Sequence, residues 1–182
     1  MLEQDISRIF FTEEEITACV DRLAEQVCRD YAGKTPIVVC TLRGAFVFAA
    51  DLIRRLDLPL TVEFLSVSSY GSGTVSSGNV DIRLDIAENI EGRDVLIIED
   101  ILDSGNTLSH LIKELNARNP ASLKLCVLLD KPERRMPGVV LRPDYLGFTI
   151  PDEFVVGYGL DYNQHYRNLP YIGVLKPDVY RS

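Results

Sequence analysis

Val95-Leu96-Ile97-Ile98-Glu99-Asp100-Ile101-Leu102-Asp103-Ser104-Gly105-Asn106-Thr107-Leu108 changes character twice within fourteen residues. Its first four residues are apolar without a polar interruption, which reads as a strand buried on both faces, the kind found in parallel sheets. Two adjacent carboxylates, Glu99 and Asp100, close that run. A compact turn then enters a helix whose apolar positions Leu108, Leu111, Ile112 and Leu115 fall at helical spacing. Strand, tight polar turn and helix N-terminus in that order form an anion site, because unpaired backbone N–H groups converge there with the positive end of the helix dipole. Ser104 and Thr107 add hydroxyl donors, and Gly105 lets the backbone approach a ligand oxygen closely. Carboxylates beside such a cradle would repel a phosphate, so Glu99 and Asp100 are expected to hold sugar hydroxyls or a bridging metal.

Working outward, Thr12 and Glu15 form a capping-box pattern ahead of Ile16, Val20, Leu23 and Val27, an amphipathic helix that ends before Gly33. A short buried strand over 37–40 leads into Thr41-Leu42-Arg43-Gly44, and a largely apolar helix is predicted over 45–56. Positions 62–67 read as a strand, and 68–79 turn to serine, glycine and threonine with Tyr70 as the sole aromatic. Val80, Ile82, Leu84 and Ile86 alternate with polar residues as in a half-exposed strand. A further buried strand covers 123–129, followed by an irregular basic stretch with Arg134 and Arg135 and short strand-like pieces near 145–149, 154–158 and 171–174. The stretch 134–142 is expected to stay clear of the chemistry.

Strands alternating with helices argue for an α/β fold with a mainly parallel sheet. Ligands of such sheets bind beyond the carboxyl ends of the strands. The turns at 42–44, 99–107 and 130–131 all fall at such ends, so they are expected to meet in one crevice. With no internal repeat or linker, residues 1–182 read as one domain.

The length and the hydrophobic fraction of 46% suit a soluble globular protein with a substantial core. A net charge of −8 argues against general nucleic-acid binding, which needs a surface that neutralises phosphates, but a local cradle can still take a small anion. The first residues lack a basic segment followed by an apolar one, and no apolar run approaches membrane-spanning length, so a cytoplasmic location away from membranes is expected. Cys19, Cys28, Cys40 and Cys126 are scattered without metal-ligand spacing, and Cys40 and Cys126 sit inside apolar runs as small hydrophobes, as suits a reducing compartment.

An acidic pair, two apolar residues and Asp-Ser-Gly-Asn-Thr resemble the phosphoribosyl pyrophosphate signature of type I phosphoribosyltransferases. Strands ending in Glu-Asp also open receiver domains, but there the acids lie near the chain start and no Ser-Gly-Asn-Thr cradle follows. Leu42-Arg43-Gly44, Ser69-Tyr70-Gly71, Leu129-Asp130-Lys131-Pro132 and Pro151-Asp152-Glu153-Phe154-Val155-Val156-Gly157-Tyr158-Gly159-Leu160-Asp161-Tyr162 extend the resemblance to the 6-oxopurine branch of that family, in the family's order along almost the whole chain. The resemblance implies a central mainly parallel sheet with a small hood built from the chain ends, and Mg²⁺-dependent transfer of phosphoribosyl to N9 of hypoxanthine or guanine in purine salvage.

It also implies residue roles. Asp103 matches the general acid/base acting at purine N7. Glu99 and Asp100 match residues that hold the ribose hydroxyls, directly or through Mg²⁺ and water, and Asp161 matches a second metal ligand on the pyrophosphate. Ser104, Gly105, Asn106 and Thr107 match the 5′-phosphate cradle. Lys131 matches the group that binds the 6-oxo position; a lysine donates and never accepts, so it cannot pair with the amine of adenine. Phe154 matches the aromatic that stacks on the purine, and Val155 offers backbone groups to the base edge. Arg167 matches a pyrophosphate contact, and the turn Leu42, Arg43 and Gly44 presents backbone N–H groups to pyrophosphate and in the family can carry a non-proline cis peptide. Residues 68–79 match a mobile lid in which Ser69 and Tyr70 close over pyrophosphate and exclude water. The partners implied are phosphoribosyl pyrophosphate and a 6-oxopurine, with assembly as a homodimer or homotetramer. A xanthine-preferring transferase and an RNA-binding regulator on the same fold are the alternative readings.

Overall fold

In the computed structural model, which describes residues 2–69 and 80–180, the central strands carry runs of consecutive buried residues, so the sheet is an inner layer with cover on both faces. In chain order the elements are β1 (Ile6–Phe11), α1 (Glu13–Asp30), β2 (Ile37–Leu42), α2 (Phe46–Ile53), β3 (Thr61–Ser69), β4 (Val80–Leu84), β5 (Asp94–Leu102), α3 (Asn106–Asn116), β6 (Ser122–Asp130), β7 (Tyr145–Thr149), β8 (Val155–Val156), β9 (Ile172–Leu175) and α4 (Pro177–Tyr180). Among the described residues the main sheet runs β4-β3-β2-β5-β6-β7. Its pairs are parallel except β3 with β4 at one edge.

Successive residues of a strand face opposite sides of its sheet, and on the central strands β2, β5 and β6 both sides are covered. Val38, Cys40, Leu96, Ile98, Cys126 and Leu128 join one core with α1 and α2. Ile37, Val39, Val95, Ile97, Leu125 and Val127 join a second core with the apolar stripe of α3. That two-sided burial is why the strand sequences show no alternation. The expected capping box is formed: the Glu15 N–H donates to Thr12 Oγ1 at 3.2 Å and the Thr12 N–H to Glu15 Oε2 at 2.8 Å.

The hood is a small antiparallel sheet in the order β1-β9-β8, which joins the two ends of the chain. The rings of Phe11 on β1 and Phe148 on β7 stack 3.9 Å apart and tie it to the main sheet.

Several expectations need correction. No strand was anticipated over Ile6–Phe11, because its side chains are mostly exposed or half-buried and its partner β9 lies at the far end of the chain. The second helix is shorter than 45–56, ending at Ile53, and its first residue Phe46 is exposed. β4 stops at Leu84, and β8 is confined to Val155–Val156. The expected lid with Tyr70 lies outside the described residues, apart from Ser68 and Ser69, whose backbones end β3.

Candidate active site

β2, β5 and β6 are neighbours in the sheet, so the turns that follow them emerge side by side at its carboxyl edge, the place where such sheets bind ligands. The Lys131 N–H donates to the Leu102 carbonyl at 2.9 Å and clamps the end of β6 to the end of β5, one residue before Asp103. The three polar turns therefore form one region, as the sequence implies.

At its centre lies a cavity of about 240 Å³, lined by Glu99, Asp100, Asp103, Ser104, Gly105 and Thr107 together with apolar side chains of α3 and Val67. Gly105 takes φ 77° immediately before α3, so the turn from strand to helix passes through a left-handed conformation suited to glycine. Ser104 stabilises the turn by accepting the Asn106 N–H at 3.4 Å. The start of α3 thus lies at the cavity wall, and the N–H groups of a helix's first turn, which lack intrahelical partners, suit an oxyanion.

The acidic pair does not close β5 as the sequence suggests but lies inside it, since the strand continues through Ile101 and Leu102, and its setting is confined. Asp100 is 8% exposed, and its Oδ1 accepts the Ile101 N–H at 2.9 Å. Burial, and then the negative charge of Asp100, pushes the Glu99 carboxyl well above the usual carboxylate range. Among the described residues no lysine or arginine forms an ion pair with either acid. Two neighbouring oxygen donors without a cationic partner fit a hard divalent cation such as Mg²⁺. Among the described residues no cluster of three acids, cysteines or histidines forms a protein-only metal cage, so substrate oxygens and water would complete the coordination.

The turn after β2 packs directly on this pair. A Cβ added at Gly44 would lie 1.7 Å from Asp100 Oδ2, so glycine is the residue that fits there. The Leu42–Arg43 peptide is cis. Arg43 Nη1 donates to Gln164 Oε1 at 2.9 Å, and Arg167 Nη2 donates to the same oxygen at 3.2 Å. Arg167 also pairs with Asp161 at 2.8 Å. Arg43, Asp161 and Arg167 are therefore brought together, and Asp161 is bound to an arginine rather than grouped with Glu99 and Asp100.

Beyond β6, Lys131 is 8% exposed, and burial holds its ammonium below the usual lysine range despite the nearby charges of Asp103 and Asp152. Its Nζ lies 3.9 Å from Asp152 Oδ1. Asp103 accepts from Arg134 Nε at 3.1 Å, and Arg134 Nη1 lies 3.7 Å from Asp152. The basic stretch after Lys131 is thus part of the site, contrary to expectation. Arg135 pairs with Asp130 and donates to the carbonyl of Asp103, and the Met136 N–H donates to the Ser104 carbonyl at 3.0 Å. No periodicity marks that stretch, so its support of the turn at 103–105 leaves no trace in the sequence pattern.

Phe154 keeps an exposed surface and is stacked on Tyr180 with centroids 4.7 Å apart, while Tyr162 meets it edge-on at 5.7 Å. Val155, next to it, is buried in β8. Neither tyrosine was singled out in the sequence, because each owes its position to the hood.

The chain matches the phosphoribosyl transferase domain over residues 10–163. It is 50% identical to the hypoxanthine-guanine phosphoribosyltransferase of Streptococcus thermophilus, with both chains covered in full. It is 51% identical to that of Lactococcus lactis, covering 100% of this chain and 97% of the relative. The crystal structure of a hypoxanthine phosphoribosyltransferase from Staphylococcus aureus superposes with a TM-score of 0.94 at 48% identity, covering 98% of this chain and 96% of the other. With the strand–acids–turn–helix cradle in place and likeness extending over its whole length, the chain belongs to the phosphoribosyltransferase family.

Proposed function

We propose that this protein transfers the phosphoribosyl group of phosphoribosyl pyrophosphate to N9 of hypoxanthine or guanine in purine salvage, releasing pyrophosphate. The observation that carries the reading is the pairing of Asp103 after β5 with buried Lys131 after β6, on adjacent strand ends clamped by one backbone hydrogen bond. Two groups so placed can address two atoms of one planar base: Asp103 takes the N7 proton as N9 bonds to the sugar, and Lys131 donates to the 6-oxo oxygen. Adenine offers an amine at that position and leaves a buried ammonium facing a donor, which opposes its binding. Phe154 lies against one face of the base, and the backbone of Val155 meets its edge.

On the sugar side, residues 104–107 hold the 5′-phosphate at the start of α3. Glu99 and Asp100 bind the ribose hydroxyls and, directly or through water, Mg²⁺. When bound, the cation neutralises charge on the departing pyrophosphate. Arg167 and the Leu42–Gly44 turn receive that pyrophosphate, and Asp161 serves a second metal only by sharing its carboxylate with Arg167. Among the described residues no helix is long and apolar enough to cross a membrane, and a cytoplasmic setting follows from the activity. Val62 and Phe64 are exposed on one face of β3, which supports assembly as a homodimer or homotetramer, checked by sedimentation.

An ultraviolet assay with phosphoribosyl pyrophosphate, Mg²⁺ and each of hypoxanthine, guanine, xanthine and adenine tests the reading. Turnover of hypoxanthine or guanine, none of adenine, and a loss of rate of about 100-fold or more in Asp103→Asn are expected. Faster turnover of xanthine would overturn the base assignment. Absence of turnover with every base, with nucleotide still bound, would overturn the enzyme reading and turn attention to RNA.

A further inference from the structure

The charges around the base-binding end of the cavity form a chain of alternating sign that runs from Asp103 to Lys131. Arg134 Nε donates to Asp103 Oδ1 at 3.1 Å, Arg134 Nη1 lies 3.7 Å from Asp152 Oδ2, and Asp152 Oδ1 lies 3.9 Å from Lys131 Nζ. We propose that Arg134 is a positioning residue for this enzyme: through Asp103 and Asp152 it ties the carboxylate at purine N7 to the ammonium at the 6-oxo oxygen, so that both sit at the spacing of one base. The proposal rests on the roles given above to Asp103 and Lys131.

Three features of the geometry carry it. First, the Asp103 side chain is 43% exposed, so packing alone does not fix its carboxyl plane. A bond from Arg134 to Oδ1 limits its rotation and leaves Oδ2 for the base. Second, one guanidinium presents different nitrogens to two carboxylates, which a lysine with its single nitrogen cannot do in one geometry. Third, the neighbouring Arg135 is already committed, to Asp130 and to the carbonyls of Leu102 and Asp103, and so holds the backbone of the turn while Arg134 holds its side chain. Arg134 is 51% exposed, and ion pairs at that exposure contribute little to folding. Its removal should therefore register in catalysis and leave the fold alone.

Among the described residues the charged groups facing Asp103 are Arg134 and Arg135 from the turn after β6, Lys131 directly after β6, and Glu99 and Asp100 across the shared cavity. Of these, Arg134 alone is hydrogen-bonded to the Asp103 side chain among the described residues.

The test is a double-mutant cycle of Arg134→Gln and Asp103→Ala, with Arg134→Lys as the conservative variant. Rates with hypoxanthine, the KM for phosphoribosyl pyrophosphate, equilibrium binding of IMP and melting temperature are measured for each. Arg134→Gln should lower kcat about tenfold, by misplacing the carboxylate relative to the base. It should leave the KM for phosphoribosyl pyrophosphate and the melting temperature unchanged. In the Asp103→Ala background it should have no further effect on rate or on IMP binding. Arg134→Lys should recover part of the loss, since one carboxylate can still be reached. An unchanged kcat in Arg134→Gln overturns the proposal, as does an equal loss with and without Asp103. IMP binding keeps the cycle readable where turnover in Asp103→Ala is too slow to follow. If Asp103→Asn itself retains full activity, the reading of Asp103 falls, and the role of Arg134 with it.

Discussion

Lys131 shows how a residue proposed to serve the substrate works against the fold. An ammonium held at 8% exposure with its nearest carboxylate 3.9 Å away is only partly compensated, and burial accordingly lowers its proton affinity. The sign follows from linkage. For a lysine whose folded value lies below its unfolded one, the burial cost is fully present at neutral pH and is relieved as pH rises through the folded value toward the unfolded one. Replacing Lys131 by Met removes that cost, and Asp152, half-exposed, is left in contact with water rather than stranded. Lys131→Met should therefore raise stability at neutral pH by about 1 kcal/mol, an increase of roughly 3 °C in melting temperature, with the gain shrinking at alkaline pH. The same variant should raise the KM for hypoxanthine about 10–100-fold, the worth of one charge-assisted hydrogen bond. Thermal melts at several pH values and steady-state kinetics check both halves. A variant both less stable and fully active would mean the ammonium is neither strained nor used.

Among the elements, the first helix was legible down to its cap, and the segment after β6 was not. Thr12 and Glu15 announce α1 because the capping box is a local device, complete within four residues and independent of what packs on it. Its reciprocal bonds predict a specific energetic pattern. Thr12→Ala should cost about 1 kcal/mol, lowering the melting temperature by roughly 2–4 °C. Glu15→Ala in the Thr12→Ala background should add less than it does alone, because each side chain covers the other's backbone N–H. Denaturant unfolding of the two single variants and the double variant measures that coupling, and strict additivity would show the two bonds to be independent. Residues 132–139, by contrast, contribute through tertiary contacts. An added Cβ at Gly105 would meet Val139 at 2.9 Å and Arg135 at 3.1 Å, so the segment closes over the cradle turn, yet its sequence carries neither period nor cap. The β5–turn–α3 unit was readable because strand, acids, glycine and helix each obey local rules. The supports of that unit come from elsewhere in the chain, and β1 escaped notice for the same reason: its pairing partner lies at the opposite end of the sequence.

Over the whole molecule, the hood and the main sheet meet at a backbone contact that only glycine permits. Gly159 has φ 99°, and a Cβ there would lie 2.2 Å from the carbonyl oxygen of Gly44 and 3.6 Å from Val47 Cβ. Gly44 in turn lies against Asp100, so the path from hood loop to acidic pair is a series of close contacts without room for a methyl group. Arg167 reinforces the joint, donating through Nη1 to the Gly159 carbonyl at 2.7 Å while the Gly159 N–H donates to the Arg167 carbonyl at 3.0 Å. Gly159→Ala combines two penalties, a left-handed backbone with a side chain, about 1 kcal/mol, and overpacking against a backbone oxygen, about 1–3 kcal/mol. Gly33→Ala separates them, since Gly33 has φ 75° with nothing within 4 Å of the added Cβ. Gly33→Ala should lose about 1 kcal/mol with unchanged kinetics. Gly159→Ala should lose more, and because the displaced atom belongs to the turn proposed to receive pyrophosphate, its KM for phosphoribosyl pyrophosphate should rise about tenfold while that for the base changes less. Equal effects of the two substitutions on stability and KM would show that the contact with Gly44 transmits nothing to the site. The larger and substrate-selective effect of Gly159→Ala would establish that the hood sets the position of the turn.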